Sequence, residues 1–256
     1  MYDAHIHWDQ YTRREQREMI RRARDAGLKG VIAAAVDLSS CRRLLEIRQE
    51  QGDFVHVALG LHPEKEHGIA AEEAVIRMIR EHRGQIVAIG EVGLPWYSVP
   101  ETERDCVSPA ALERLGRFCR LARELDLPLV LHAVHDRAAD ALALLQQWKV
   151  EKAVFHWLKA PRPVAEAIVQ AGYYVSVTPE VCFRQRDQEL LEWVPLQQLL
   201  LETDGPWPHE GRFAGRRTEP AMIRQVAECV AALKQVSWET AWLQVADNVK
   251  RVFLHV

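Results

Sequence analysis

The chain has 256 residues, of which 48% are hydrophobic and 27% are charged, and its formal net charge is −3. This composition is typical of a folded globular protein and excludes a disordered, collagen-like or coiled-coil chain. The net charge provides no overall attraction for a polyanion, so any contact with nucleic acid would depend on a local group of cations.

Short apolar segments of strand length alternate with amphipathic segments of helix length along the chain. Eight strands are predicted, at residues 2–6, 30–36, 54–60, 86–91, 128–132, 152–156, 173–178 and 198–203. Seven helices are predicted between or after them, at residues 11–26, 39–50, 71–82, 109–126, 136–148, 163–171 and 186–194. Two further helices, at residues 219–235 and 238–248, are predicted after the last strand.

This alternation predicts an α/β protein of the (β/α)8 barrel type. Several strands, such as VIAAAV at residues 31–36, are apolar at every position, as is typical of parallel strands covered on both faces. Eight strand–helix units in about 250 residues match the size of such a barrel. An open doubly wound sheet is the alternative, although no Gly-x-Gly-x-x-Gly turn supports it. Because no linker or internal repeat divides the sequence, one domain is predicted over residues 1–256.

The cysteines and the first residues bear on the cellular compartment. The five cysteines are odd in number and form no Cys-x-x-Cys pair, which favours reduced packing residues over a disulfide framework. They are Cys41, Cys106, Cys119, Cys182 and Cys229. The first residues include Asp3, His5 and His7 where a secretion signal would be basic and then apolar, and no segment has eighteen uncharged apolar residues. We therefore expect a soluble, cytoplasmic protein without membrane contact.

Histidines or carboxylates lie at six of the eight predicted strand ends, where a barrel places its catalytic groups. They are His5 and His7 at strand 1, His62 at strand 3, Glu91 at strand 4, His132 at strand 5, His156 at strand 6, and Glu202 and Asp204 at strand 8. His5 and His7 are two residues apart, so both imidazoles lie on one face of a strand and can bind one metal ion. Glu91 follows an apolar strand, where a carboxylate is costly to bury without a cation or donors around it.

Each of these residues alone has a simpler interpretation, such as a helix cap, a salt bridge or a hydrogen-bonded core histidine. Asp204, for example, is followed by Gly205 and Pro206 and would also suit a turn. Taken together, four imidazoles and two carboxylates from five strand ends form the ligand set of a two-metal hydrolase. Such a site uses one shared carboxylate, nitrogen ligands for each ion and an open position for water.

The motifs that contain these residues also occur in a fixed order along the chain. They are His5-x-His7, Gly-Leu-His-Pro around His62, Gly-Glu-Val-Gly-Leu around Glu91, His132, His156, and Glu-Thr-Asp-Gly-Pro around Asp204. In order and spacing they resemble the motifs of TatD-type metal-dependent hydrolases and deoxyribonucleases of the amidohydrolase superfamily. Residues 215–220, GRRTEP, and residues 248–253, NVKRVF, are similar to two further motifs of that family. The resemblance therefore covers nearly the whole chain.

The resemblance implies a hydrolase that cleaves DNA phosphodiesters, in single strands or at strand ends, with two divalent ions. One ion would be surrounded by His5, His7, Glu91 and Asp204, and the other by Glu91, His132 and His156. Glu91 would bridge the ions, Asp204 would take or orient the proton of the attacking water, and His62 would be a donor to the substrate. Zinc, manganese, iron or nickel suit four imidazoles better than magnesium, which commonly supports the family's nucleases, so the metal stays open.

Side chains near the predicted ligands suggest how a nucleic acid would be bound. Arg212, Arg216 and Arg217 follow strand 8 and would clamp a phosphate if they face the site, or lie on a solvated loop if they do not. Five aromatic residues closely follow predicted ligands and would either stack bases or form a hydrophobic rim. They are Trp8, Trp96, Tyr97, Trp157 and Trp207. No obligate protein partner is evident.

The sequence departs from the family's pattern at several positions beside the ligands. Pro95 stands where the family's motif has Asp, residues 156–160 read HWLKA where the family has HCFSG, and Thr218 stands where Asn is usual. These changes spare the predicted ligands, so they affect the expected substrate more than the expected hydrolysis. An amide, a lactone or another phosphoester therefore stays an alternative substrate, and an inactive metal-binding scaffold is an alternative of a different class.

Overall fold

Eight parallel strands form one sheet whose strand order follows the chain in the computed structural model, which describes residues 1–254. The strands are β1 (Tyr2–Ile6), β2 (Gly30–Ala34), β3 (Val55–Leu59), β4 (Ala88–Gly93), β5 (Leu129–His132), β6 (Ala153–Phe155), β7 (Tyr174–Val177) and β8 (Leu199–Leu201). Every predicted strand is present. The prediction for β4 ended too early, because Val92 and Gly93 continue the pairing with β5.

Backbone hydrogen bonds between β1 and the segment after β8 close the sheet into a barrel. The Asp204 N–H donates to the His5 carbonyl at 3.0 Å, and the His7 N–H donates to the Gly205 carbonyl at 2.8 Å. Below them, the buried carboxylate of Asp3 accepts bonds from the Thr203 N–H at 2.9 Å and the Thr203 hydroxyl at 2.5 Å. We call this the β1–β8 seam. The predicted (β/α)8 barrel is thus confirmed, and the open sheet is excluded.

Nine α-helices surround the barrel within residues 1–254. They are α1 (Arg13–Asp25), α2 (Leu38–Gln51), α3 (Ile69–Glu81), α4 (Pro109–Leu125), α5 (Arg137–Gln147), α6 (Arg162–Gln170), α7 (Gln185–Trp193), α8 (Ile223–Leu233) and α9 (Trp238–Val249). Side chains of Thr12, Ser108 and Ser237 accept bonds from the first turns of α1, α4 and α9, and so define where these helices begin. The helix predicted from residue 219 begins four residues later, after a 3-10 turn at Pro220–Met222.

Alternating strand residues fill two separate hydrophobic clusters. One set packs outward against the helices, as do Val57 of β3 and Leu131 of β5. The other set fills the barrel interior with small and branched side chains from seven strands, which include Ile32 of β2 and Val130 of β5. Phe253, which follows α9, packs against this interior cluster. Because side chains fill the barrel interior, the place for a ligand is at the carboxyl ends of the strands.

The cysteines differ in part from the prediction of five reduced packing residues. Cys182 and Cys229 form a disulfide between the turn after β7 and helix α8, so the prediction is wrong for this pair. Cys41 and Cys119 are buried thiols whose pKa burial raises to about 12, as expected for packing residues. Cys106 is exposed and has no packing role.

No helix in the described part of the chain is both long and apolar enough to cross a membrane.

Candidate active site

A cavity of about 740 Å³ opens at the carboxyl ends of the strands and contains most of the predicted site residues. Six of them line it, namely His7, His62, Glu91, His132, His156 and Asp204. His5 lies directly beneath, 1% exposed. The structure therefore brings together all six predicted metal ligands and the predicted substrate-side histidine, although they come from six strand ends.

Glu91 is the centre of this arrangement and is completely buried. It lies in β4, and glycines keep the neighbouring strands close to it: a Cβ on Gly60, which follows β3, would lie 2.6 Å from the Glu91 carbonyl oxygen. A Cβ on Gly90 would lie 2.7 Å from the Cβ of Val130 in β5. Larger residues at these two positions would separate the strands. The two glycines therefore help to keep the Glu91 carboxylate close to the histidines.

One oxygen of Glu91 faces the histidines of β1. Its Oε2 atom lies 3.2 Å from His5 Nε2 and 3.6 Å from His7 Nε2. The Asp204 Oδ1 atom lies 3.5 Å from each of the same two nitrogens. The two carboxylates and the two imidazoles therefore surround one point, as the sequence predicts for the first ion.

The other oxygen of Glu91 faces a second set of imidazoles. Its Oε1 atom lies 3.0 Å from His132 Nδ1, 3.2 Å from His62 Nε2 and 3.4 Å from His156 Nε2. His62 thus lies within the second group, where its nitrogen is as close to Glu91 as the predicted ligands are. The geometry allows it to be a ligand as well as the predicted donor to the substrate.

Several atoms of the first group are buried and make no well-aligned hydrogen bond, although some of them lie close together. They are both ring nitrogens of His5, Glu91 Oε2 and Asp204 Oδ1. A buried polar atom without a partner is costly, and the cost is larger for a charged one. Carboxylate oxygens and imidazole nitrogens are ligands for Zn²⁺ and similar ions, so these residues fit a divalent metal.

The carboxylates and imidazoles of the site shift one another's pKa values. Burial alone would raise the pKa of Glu91, but the imidazoles of His62, His156 and His5 hold it well below its ordinary value. Burial lowers the pKa of His5 and His132, and nearby carboxylates outweigh it and raise both to about 9. Protons and a divalent cation therefore compete for the same nitrogens, which makes metal affinity dependent on pH.

Glu202 orients His156 and was not assigned a role from the sequence. Its buried carboxylate lies 2.9 Å from His156 Nδ1 and accepts a 2.5 Å bond from the Ser176 hydroxyl. This contact directs His156 Nε2 towards Glu91, in the way that carboxylates commonly hold metal-binding histidines. The sequence offered one indication that Glu202 belongs to the site, because Glu202 and Asp204 are two residues apart at the same strand end.

Glu64, in the loop after β3, orients His132 and was missed entirely. Its Oε1 atom lies 3.1 Å from His132 Nε2, so the opposite nitrogen of the ring faces Glu91. The same carboxylate accepts bonds from the N–H groups of Trp96, Tyr97 and Ser98 at 2.7–3.0 Å. Glu64 therefore holds both a predicted ligand and the loop that contains Pro95.

We expect Glu64→Gln to weaken metal binding at the second group. The amide cannot accept bonds at both ends, so it loses part of the contact with His132 or with the loop. Loss of such a supporting carboxylate typically costs about 10-fold to 100-fold in metal affinity. Titration calorimetry of the metal-free protein with Zn²⁺ and Mn²⁺ measures this change. Glu66→Gln, at an exposed position two residues away, is the control; equal affinities in the two variants would contradict the role of Glu64.

The predicted phosphate clamp does not line the cavity. Arg217 Nε lies 3.2 Å from Glu15, and its guanidinium lies 4.8 Å from the centroid of the Tyr11 ring. Arg216 donates to Gln225 at 3.2 Å, and both guanidiniums are exposed. Arg212 is exposed as well. These three arginines therefore lie on a solvated loop, which was the alternative to a phosphate clamp.

Three of the five predicted aromatic residues line the cavity, namely Tyr97, Trp157 and Trp207. Trp8 is instead buried in the hydrophobic core, where its indole N–H donates to Gln51 at 3.0 Å. Trp96 packs against Arg104, whose guanidinium lies 4.0 Å from the ring centroid. Spacing along the sequence could not separate these cases, because each residue follows a ligand but each loop turns in its own direction.

The chain is similar to known proteins in sequence and in structure. The family described as TatD related DNase matches residues 2–254. An uncharacterized metal-dependent hydrolase of Haemophilus influenzae is 31% identical over 254 residues, which cover 99% of each chain. A protein of Erwinia tasmaniensis named 3'-5' ssDNA/RNA exonuclease TatD is 30% identical, over 94% of each chain. The crystal structure of the Escherichia coli TatD homologue YjjV superposes with a TM-score of 0.88 at 23% identity, covering 99% of this chain and 97% of that one.

Proposed function

Since the chain belongs to the TatD related DNase family of metal-dependent hydrolases, we propose that it cleaves phosphodiester bonds in single-stranded DNA with two divalent ions. One observation carries the proposal: the two oxygens of the buried Glu91 carboxylate face two different groups of imidazoles. A carboxylate placed in this way suits a bridge between two cations. A site for one metal ion would not require the second group of imidazoles.

The proposed ligands of the first ion are His5, His7, Asp204 and Glu91, and those of the second are Glu91, His132 and His156. His62 is proposed to contact the substrate and to supplement the second group. Divalent ions in such a site lower the pKa of water and offset the negative charge that a phosphodiester gains during hydrolysis. The metal identity stays open between Zn, Mn, Mg, Fe and Ni.

Asp204 is proposed as the residue that accepts the proton of the attacking water. Its side chain is 12% exposed towards the cavity, and its Oδ1 atom has no hydrogen-bond partner. Its own N–H is bonded to His5 at the β1–β8 seam, and its carbonyl accepts a 3.0 Å bond from the Trp207 N–H. The backbone of Asp204 is therefore held in place, and the second oxygen of its carboxylate is proposed to receive the proton while Oδ1 faces the first ion.

The shape of the cavity supports a single strand or a strand end as the substrate. Glu91 lies at the floor, and Tyr97, Trp157 and Trp207 contribute to the walls above it. A flexible strand can bend to bring one phosphate to this floor and stack its bases on aromatic walls. The relative named as a single-strand exonuclease is consistent with this choice.

The test is an assay of the protein purified without chelator, after its metal content has been measured. A labelled single-stranded oligonucleotide, the same sequence as duplex, and a set of lactones and cyclic amides are compared. We expect cleavage of the single strand, complete loss with EDTA and recovery with an added divalent metal. Turnover of a lactone or amide without cleavage of DNA would replace the proposal by the amidohydrolase alternative, and bound metal with no turnover would favour a scaffold.

A further inference from the structure

We propose that Lys159 and Trp157, on the loop after β6, form a subsite that binds a phosphate next to the scissile one. The substrate would then be a strand that carries at least two phosphates, with a nucleotide base beside the subsite. This inference rests on the proposed function and specifies its substrate further. It is independent of Arg216 and Arg217, which do not line the cavity.

Lys159 lies where three cavities meet. It lines the active-site cavity and two adjoining cavities of about 430 and 310 Å³. Its Nζ atom lies 3.8 Å from the centroid of the Trp157 ring and 3.1 Å from the Tyr97 hydroxyl. Its carbonyl accepts a 2.5 Å bond from the N–H of His135, in the loop after β5. The ammonium group is therefore held at the cavity wall.

Lys159 differs from the other cations around it in having no carboxylate partner. Four lysine or arginine side chains of the described residues line the three cavities, and three of them form ion pairs. The pairs are Lys65–Asp37 at 3.0 Å, Arg184–Glu180 at 2.8 Å and Arg186–Asp187 at 2.8 Å. Lys159 has no carboxylate within salt-bridge distance among residues 1–254, so its charge is available to an anion.

Trp157 lines the same cavity and carries a second donor without a partner. It is 8% exposed, and its indole N–H is buried without an acceptor. An ammonium group and an indole N–H can only donate hydrogen bonds. A ligand that reaches either donor must therefore offer acceptors, and the positive charge of Lys159 favours an anionic one. Phosphate oxygens have both properties.

Exposed aromatic rings beside this wall are suited to a base. Trp207 is 57% exposed and Tyr97 is 48% exposed. The Trp207 ring lies 6.1 Å from the Trp157 ring, at an angle of 71°. Large aromatic surfaces left in water at the edge of a cationic site are typical of single-strand binding, where bases stack on them. A nucleotide provides both the phosphate and the planar ring that this wall fits.

The experiment compares Lys159→Gln with Lys65→Gln. Lys65 lines the same cavity but is already paired with Asp37, so it is the matched control. Binding of a fluorescein-labelled oligothymidylate of eight nucleotides is measured by anisotropy in EDTA, which prevents turnover. We expect Lys159→Gln to weaken binding about 10-fold, the loss typical of one charge-assisted contact, and Lys65→Gln to change it less than about 2-fold.

Two further measurements distinguish a subsite from a general effect. Trp157→Phe keeps the ring but removes the N–H, and we expect about 3-fold weaker binding, as for one neutral hydrogen bond. Hydrolysis of bis(p-nitrophenyl) phosphate, which has one phosphate, should be affected much less by Lys159→Gln than hydrolysis of the oligonucleotide, for which KM should rise.

Equal binding by Lys159→Gln and wild type would overturn the subsite, as would an equal loss on both hydrolysis substrates. Failure of the proposed function is recognised separately. In that case the wild type hydrolyses neither phosphodiester, while the binding comparison still decides the role of Lys159.

Discussion

Glu91→Gln is expected to eliminate both metal retention and hydrolysis. The substitution keeps the volume of the side chain but removes its charge and turns one oxygen into an N–H₂ group. Because the two oxygens face two different sets of imidazoles, either orientation of the amide places donors against one of the sets. We expect kcat/KM to fall by at least about 10³-fold, which corresponds to about 4 kcal/mol of transition-state stabilisation.

Measurement of metal content and turnover on the same preparation tests this prediction. Thermal unfolding of the metal-free proteins is the control for folding. In the metal-free protein the Glu91 carboxylate is stabilised by the surrounding imidazoles, and removal of one partner of a buried charge pair is destabilising. The metal-free variant should therefore still unfold cooperatively, but at a lower temperature than the metal-free wild type. A variant that retains two ions per chain and the wild-type rate would remove the bridging role of Glu91.

Asp204→Asn should lower kcat with little change in KM. Asp204 has a left-handed backbone conformation, with φ of 50°, which Asp and Asn tolerate better than most other residues. The variant therefore keeps the backbone bonds of the β1–β8 seam and loses the carboxylate charge, which is proposed both to bind the first ion and to accept the proton. Removal of a general base typically costs about 10² to 10⁴-fold in rate.

Steady-state kinetics on the single-stranded oligonucleotide with excess divalent metal measures this effect, and the metal content of the same preparation shows whether the first ion is retained. Asp136→Asn, at an exposed position near the mouth, is the control and should retain the wild-type rate. A kcat for Asp204→Asn within about threefold of the control would exclude Asp204 as the proton acceptor. In that case another group at the cavity floor would have to receive the proton.

The strands and the meeting of the proposed ligands at one mouth could be predicted because both depend on local patterns. Strands covered on both faces are apolar throughout, as in β2, and a barrel directs the residues at their carboxyl ends to one mouth. His5 and His7 are the simplest case, since a spacing of two residues is sufficient to place them on the same face. Glu91 could be assigned because a carboxylate directly after apolar residues needs a compensating partner.

The supporting contacts could not be predicted, because they depend on how loops fold over the mouth. Glu64 and His132 are 68 residues apart, and nothing local in the sequence connects them. For the same reason the sequence placed Arg216 and Arg217 near the substrate, whereas their loop directs them to Gln225 and Glu15. The pairing of Cys182 with Cys229 likewise depends on tertiary contact between distant segments.

The β1–β8 seam also bears on how the enzyme matures. The histidines of the first proposed ion lie at the start of the chain, and Asp204 follows the last strand, so this ion can be held by all its ligands only after eight strands have been synthesised and joined. A ribosome-bound intermediate without β8 would lack Asp204, the proposed proton acceptor. Once bound, the ion would fasten the two ends of the barrel wall together and oppose their separation.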